Sequence, residues 1–266
     1  MRYAFMTFST PDLSLKEVLD LARRLGYDGI EPRAASGHRH GIELETTPEQ
    51  RRAIRDQVEA SGVSLCCLAV SCRYADPATR TENLEQTRRY LELAADIGSP
   101  RLRVFGGKIG ESLSRSQAIQ LVADALAELA PFAAEHGVTL CMETHDDWCH
   151  PRDVAAVMEA VDHPNVGVNW DVLHPVRRKF ATLEESFQVL RPWIRHLHVH
   201  DVDPNTGKLT PIGTGMIDHR RLLELLASLD YDGYLSGEWI RWEVPYSEHL
   251  PQELATLRRY ERELGI

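Results

Sequence analysis

The chain has 266 residues, 43% of them hydrophobic, with 40 acidic against 30 basic side chains and a net charge of −10. That is enough apolar material for one large core over residues 1–266, and the acidic balance disfavours nucleic-acid or anionic-membrane partners. No apolar run approaches the about 18 residues of a membrane span. The N-terminal MRYAFMTFSTP lacks a signal-peptide pattern, and five cysteines without a CxxC pair read as reduced thiols of a cytoplasmic protein.

Along the chain, strand and amphipathic helix alternate eight times. The spacing predicts a strand at 3–8 and a helix at 14–25, then strand 28–32 with helix 48–61, and strand 64–69 with helix 80–97. Strand 101–106 precedes helix 115–136, strand 138–143 precedes helix 152–161, and strand 166–171 precedes helix 182–191. Strand 194–200 with helix 218–229 and strand 234–239 with helix 249–263 complete the series. Glycine closes several helices, as in LARRLG, QVEASG, ELAADIG and AEHG, because a left-handed residue stops a helix. Ser14, Thr47 and Thr182 stand where helix caps belong. Pro131 falls inside the fourth helix and predicts a kink there. Strict alternation implies a parallel sheet, and eight units in this length match a closed (β/α)8 TIM barrel. The open doubly wound sheet would show a glycine-rich phosphate loop after the first strand, and FMTFS is followed by none.

Four predicted strands end alike: VTLCME at Glu143, VGVNWD at Asp171, IRHLH at His198 and YLSGE at Glu238. Side chains alternate faces along a strand. If these four point into the barrel, so do Cys141, Asn169, His196, His200 and Ser236, while Met142, Trp170, Leu197, Val199 and Trp239 face the helices. Arg103 and Glu31 extend the pattern to two further strands. A polar lumen at the C-terminal strand ends is where such barrels place their sites. Three carboxylates and an imidazole converging without a cation would raise one another's pKa and destabilise the fold. Oxygen donors with one imidazole suit a hard or borderline divalent ion. Mn2+ is the first choice, with Mg2+, Co2+ and Zn2+ also compatible.

At these residues the chain resembles the xylose isomerase-like TIM-barrel superfamily, the sugar phosphate isomerase/epimerase group. The similarity runs through GVTLCMETH, NVGVNWDVLHP, RHLHVHDVD, PIGTGMID and YDGYLSGEW, in that order, and covers essentially the whole chain. It implies one divalent metal held by Glu143, Asp171, His198 and Glu238, with His174 of DVLH binding substrate. It also implies a metal-dependent isomerase or epimerase of a small ketose, polyol or inosose, working through an enediolate. Glu143 and Glu238 would serve as catalytic base and acid on opposite faces of the sugar. Relatives of this kind are often homodimers or homotetramers.

Three departures separate the chain from the ketohexose 3-epimerases or, for the third, from many relatives. Cys149 and Pro204 occupy places where those enzymes carry Glu and Arg, and His198-Val-His200-Asp201 replaces a His-x-Lys-Asp motif. His145 and His200 share the inward parity and are alternative proton carriers, and Arg103 with His174 suits sugar hydroxyls; a supporting structural role is the equal alternative for each of the four. A lyase or dehydratase on the same scaffold is the principal alternative. An apurinic endonuclease-like hydrolase and a non-catalytic sugar-binding barrel stand further back. Elsewhere, His38 and His40 read first as a solvated loop and second as a cover over the site, Trp148 equally as an apolar wall for a sugar ring or as loop packing, and Lys108 as a lone loop cation, thin evidence for an anionic substrate. Trp239 and Trp242 read as packing on the barrel rim or at a subunit contact.

Overall fold

The computed structural model describes all residues 1–266. In chain order the first elements are β1 (Arg2–Met6), α1 (Leu15–Leu25), β2 (Gly29–Glu31), α2 (Pro48–Ser61), β3 (Ser64–Leu65), β4 (Leu68–Arg73), α3 (Arg80–Ile97), β5 (Arg101–Phe105) and α4 (Arg115–Glu135). The remainder is β6 (Thr139–Glu143), α5 (Pro151–Val161), β7 (Val166–Asp171), α6 (Leu173–Arg177), α7 (Leu183–Leu190), β8 (Ile194–Val199), β9 (Asp201–Val202), β10 (Leu209–Thr210), α8 (His219–Ala227), β11 (Tyr234–Gly237) and α9 (Tyr246–Leu264).

Nine strands form one parallel sheet in the order β3-β2-β1-β11-β8-β7-β6-β5-β4. This is the (β/α)8 barrel, with its third strand divided in two. The run SLCCLAVSC reads as one strand at 64–69, but β3 pairs with β2 while β4, after Cys66 and Cys67, pairs with β5. Closure comes from the Arg33–Ala69 bridge: the Ala34 N–H donates to the Ala69 carbonyl at 3.0 Å, and the Ala69 N–H to that of Pro32 at 2.9 Å. No glycine or proline marks that break, since Cys66 and Cys67 continue the apolar run; farther on, the β4–β5 register is irregular between Ala69 and Arg73.

Other boundaries also move. β1 stops at Met6 and residues Thr7–Ser9 form a 3-10 turn instead of continuing to 8. β11 stops at Gly237, although the Glu238 N–H still donates to the Val199 carbonyl at 3.1 Å and holds Glu238 in line. A short helix, α6, follows β7 directly, and β9 with β10 makes a small antiparallel pair in the loop after β8. The last helix begins at Tyr246, behind Pro245, rather than at 249. The fourth helix runs on through Pro131 to Glu135.

Caps explain why the helices start where they do. Ser14, Thr47 and Thr182 each accept the N–H three residues on, and Glu17, Gln50 and Glu185 reach back to complete capping boxes. Gly26, at φ +87°, closes α1 in the left-handed region that an L side chain resists. The alternation within the strands is obeyed. Leu102, Val104, Leu140, Met142, Val168, Trp170, Leu197 and Val199 are buried in the apolar layer between barrel and helices. Arg103, Glu143, Asn169, Asp171, His196 and His198 are equally buried but belong to the opposite face of the same strands.

Candidate metal centre

β6, β7, β8 and the end of β11 are neighbours in the sheet, so their C-terminal residues arrive together. Asp171 pairs in register with His198, and Ser236, two residues before Glu238, also pairs with His198. Glu143, Asp171, His198 and Glu238 each offer a donor atom within 4.8 Å of the others. All four are buried, Glu238 being the most accessible at 5%.

Each is aimed by neighbours. The Leu173 and His174 N–H groups donate to Asp171 Oδ1 at 2.8 and 3.1 Å, which is why α6 begins there. The Thr144 hydroxyl locks the Asp171 backbone in both directions, accepting its N–H at 2.9 Å and donating to its carbonyl at 3.0 Å. Asp171 Oδ2 then faces His200 Nε2 at 2.9 Å and His174 Nε2 at 3.8 Å. His198 is held from behind, with Nε2 lying 3.0 Å from Glu31 Oε1. Its Nδ1 therefore points to Glu143 Oε1 at 3.3 Å and Glu238 Oε2 at 3.8 Å. The other Glu31 oxygen is 2.7 Å from His196 Nε2. A histidine whose remote nitrogen is pinned by a carboxylate is the usual support of a metal-ligating imidazole.

The donor set fits a divalent ion. Three carboxylates and one imidazole nitrogen match hard to borderline cations such as Mn2+, Mg2+, Co2+ or Zn2+. Unused acceptors remain inside the cluster. Arg103 Nε lies 3.0 Å from Glu143 Oε2 as an ion pair, but the angle is not that of a hydrogen bond, so this oxygen and Asn169 Oδ1 are buried without hydrogen-bond partners.

The protein also neutralises much of its own negative charge. Burial pushes the Glu143 carboxyl up, yet the Arg103 guanidinium and the His198 ring outweigh it and bring it to about 2. Asp171 is likewise held below the ordinary carboxylate range, against burial, by His174 and His200. Glu31 is held well below it by His198 and His196. The reciprocal holds for the rings: burial disfavours their cations, but Glu31, Glu143 and Glu238 raise His198 well above its usual value, and Asp171 raises His200. The expected mutual repulsion of the carboxylates is thus corrected by cations interleaved among them.

His145, His174 and His200 form a second layer toward solvent. The His145 and His174 rings meet edge to face at 4.5 Å, and those of His174 and His200 at 5.9 Å. Burial lowers the His145 pKa, but its 2.9 Å contact with Asp146 and the nearby Glu143 prevail and raise it to about 9. Both His145 and His174 are partly exposed, so they are accessible to a small molecule above the cluster.

Several expectations need correction. Arg103 is not presented to a sugar: it is 1% exposed, pairs with Glu143 and donates to the Val70 carbonyl at 2.7 Å. Of the two readings of Trp148, loop packing is the one observed: it is fully buried, with Nε1 donating to the Gly107 carbonyl at 2.8 Å. His40 is not solvated but buried, its Nδ1 accepting the Ile42 N–H at 3.0 Å. His38 is half-buried against the Thr7 hydroxyl at 3.1 Å. Lys108 is exposed on its loop. The role of Glu31 as the support of His198 was missed; its signal was its inward parity at the end of β2, the same position the four donors hold on theirs. Asp201, at the end of the HLHVHD run, also has an unforeseen task. It accepts the N–H groups of Gly213, Gly215 and Ile217 and so folds the PIGTGMI segment beneath the rim. No helix is long and apolar enough to cross a membrane.

Comparison with known proteins gives a consistent picture. A family profile described as xylose isomerase-like TIM barrel matches residues 19–260. Among curated proteins, L-ribulose-5-phosphate 3-epimerase of Escherichia coli (strain SMS-3-5 / SECEC) is 28% identical over 235 residues, which is 84% of this chain and 81% of that protein. Among solved structures, the probable 3-DHS dehydratase AsbF of Bacillus anthracis superposes with a TM-score of 0.81 at 21% identity, covering 97% of this chain and 99% of the other. The 3-keto-D-glucoside 4-epimerase of E. coli superposes at 0.80 with 19% identity and the same coverage. The two structural similarities speak for the fold alone.

Proposed function

Because this chain belongs to the xylose isomerase-like TIM-barrel family, we propose that residues 1–266 act as one domain and one divalent-metal-dependent carbohydrate isomerase or epimerase. The reading is carried by the convergence of Glu143, Asp171, His198 and Glu238 within 4.8 Å at the C-terminal ends of four adjacent strands. The substrate is a small ketose, polyol or inosose. Similarity to a sugar-phosphate epimerase at 28% identity supports the same class of chemistry.

A bound divalent ion, Mn2+ first among the candidates, supplies a Lewis acid that polarises the substrate carbonyl. The chain's own residues do the rest. Glu143 and Glu238 approach His198 Nδ1 from separate strands, at 3.3 and 3.8 Å. One takes the proton from the carbon beside the carbonyl, and the other returns a proton to the opposite face. Glu143, clamped by Arg103, is a weak base as it stands, so substrate binding must loosen that ion pair before Glu143 accepts a proton. His145, His174 and His200 border the cluster on the solvent side and bind the hydroxyls. Glu31 keeps His198 in the required orientation.

The test is elemental analysis of the purified protein beside a Glu143→Ala/Asp171→Ala variant, followed by turnover in D2O. About one equivalent of divalent metal, lost in the variant, with deuterium appearing in recovered ketose, is the expected result. Absence of metal after reconstitution with Mn2+, Co2+ and Zn2+ would end the reading. A lyase is the second reading, favoured by one observation: His200, raised by Asp171 and adjoining His174, is a proton donor placed to assist a departing hydroxyl. Product mass separates the two, since dehydration removes a water and isomerisation leaves the mass unchanged.

A further inference from the structure

The two buried arginines of the chain differ in their partners. Arg103 pairs with Glu143, whereas Arg33, 9% exposed, has no carboxylate within ion-pair distance. Its guanidinium meets neutral oxygens only. Nη1 donates to the Ala34 carbonyl and, at 3.2 Å, to the Ala69 carbonyl, and Nη2 donates to the Ser71 hydroxyl. Those bonds use both Nη1 hydrogens and one of Nη2, which leaves Nε–H and the second Nη2 hydrogen free. Arg33 Nε is not sealed from solvent as Arg103 Nε is. Nε and Nη2 share one edge of the planar guanidinium, the edge that takes two oxygens of one oxyanion. Buried charges are normally matched by an opposite charge. An unmatched one with donors to spare points to an anion from outside the chain.

Arg33 stands at the barrel mouth. It follows Glu31 by two residues, and Glu31 holds the His198 ring. Ala69, whose carbonyl Arg33 reaches, pairs in register with Arg103, and Phe105, the next inward residue of β5, pairs with Glu143. Ser71 lies one pleat above Ala69, is exposed, and its own O–H has no acceptor. Neighbouring strands are about 4.8 Å apart, so Ser71 on β4 and Glu143 on β6 stand about 10 Å apart along the wall, within reach of one small sugar acid. Two further cations, Arg73 at the end of β4 and Lys108 on the loop after β5, are exposed and enter no ion pair. The loop carboxylates are engaged with backbone instead: Glu43 accepts the N–H groups of Ala35, Ser36 and Gly37, and Asp147 that of Ile109 at 2.8 Å. Burial, and next Arg103, lower the Arg33 pKa to about 10 against the attraction of Tyr90, Glu43 and Glu238, so the group is charged near neutral pH and feels the cluster. By contrast, the aromatic recess between the loops after β1 and β11, walled by Phe8, Trp239, Trp242 and Tyr246, has one arginine, Arg241, and that one is exposed.

We infer that the substrate carries an oxyanion, carboxylate or phosphate, which Arg33 and the Ser71 hydroxyl receive while its reacting carbons lie at Glu143 and Glu238. Arg33 is then a specificity-determining residue that selects a sugar acid or phosphate ester over the neutral sugar. The identity of the reacting end rests on the isomerase reading, but the anion subsite is testable without it.

The experiment is calorimetric titration of the full chain with D-fructuronate, D-fructose 6-phosphate and D-fructose, which share the carbonyl end and differ at the far carbon. At least one of the anions should bind about tenfold or more tighter than fructose, and which of them does so separates a carboxylate from a phosphate. In Arg33→Gln that preference should vanish while fructose affinity stays, and Arg33→Lys should recover part of it. Ser71→Ala should lower it about threefold, and decides the matter if Arg33→Gln loses its native circular dichroism. Arg52→Gln, the same change of charge on the exposed face of α2, should leave it intact. Equal affinity for all three ketoses, or no measurable affinity for either anion, would overturn the inference. So would an unchanged preference in folded Arg33→Gln or, failing that variant, in Ser71→Ala, and so would an equal fall of all three affinities in Arg33→Gln. Because the titration needs neither metal nor turnover, a metal-binding isomerase without anion preference would sink this inference alone. Anion preference set by Arg33 in a protein that binds no metal would sink the isomerase reading alone.

Discussion

Histidines on the two sides of the barrel mouth are set in opposite ways. On the β6–β8 side, His198 and His200 are fully buried yet held toward the protonated form, because each faces carboxylates at 2.9–3.3 Å. On the side of β1 and α9, His38, His40 and His249 are pushed the other way by burial, since no carboxylate within bonding distance compensates. His196 shows the balance: one oxygen of Glu31 lies 2.7 Å from its Nε2, yet burial and the neighbouring His198 still lower it, whereas His198 faces three carboxylates and is raised; burial and the sum of the facing charges together set the direction. The first side is built for charged chemistry, and the second is a neutral recess.

The most severe way to break the charged side is Arg103→Met. It leaves Glu143 buried without its cation, and removing one partner of a buried pair costs about 3–5 kcal/mol. Urea unfolding should show that loss, whereas a change under about 1 kcal/mol would mean that Glu143 is compensated elsewhere.

On the neutral side the sharpest probe is Glu253 of α9, which accepts the Ile212 N–H at 2.8 Å while its other oxygen has no partner. Burial raises its pKa from the ordinary 4.5 to about 7, with Asp201 adding to burial and the Ile212 hydrogen bond opposing it. For an acid raised in the folded state, the contribution to stability is fully present below about pH 4.5 and is lost as pH rises through about 7. Thermal unfolding between pH 5 and 8 should show wild type losing about 2–3 kcal/mol relative to Glu253→Gln. Parallel curves for the two proteins would contradict this.

Glu31→Gln sharpens the comparison at His198. It keeps the shape of the side chain but removes the charge that pins Nε2, so metal affinity should fall about 10–100-fold. Circular dichroism should be unchanged, and titration with Mn2+ reads the effect. The smallest expected change is Ser14→Ala, which deletes the cap of α1 at the edge of the recess. A loss of about 1 kcal/mol in unfolding free energy with unaltered metal content would fit; altered metal content would show that the two sides are coupled.

Much of the charged side was legible before any coordinates. Glu143, Asp171 and His198 each end a run of period-two alternation, and Glu238 follows one. Ser14, Thr47 and Thr182 announced their helices, and Gly26 its stop, because capping is settled within four residues. The errors came from residues whose partners are distant. Arg103 stayed open in sequence between sugar contact and structural support because nothing local shows that it faces Glu143, 40 residues on. Glu31 shows its inward parity in sequence, but its partner His198 is 167 residues away, so only the fold reveals which ring it supports. Trp148 reads in sequence equally as an aromatic wall or as loop packing, and the choice is tertiary: Gly106 admits its ring to a closed niche, where the Gly107 carbonyl accepts its Nε1–H.

The sequence by itself determined the eight-fold alternation, the inward parity of the donors and the strand ends at which they stand, since these follow from backbone periodicity and local hydrogen bonding. Only the tertiary structure decided which charges neutralise which, where the third strand breaks, and that the loops of β1 and β11 enclose an aromatic recess beside Glu238. Those outcomes depend on closing the barrel, which brings β1 and β11 together across more than 230 residues of chain, and no local signal encodes a contact of that range.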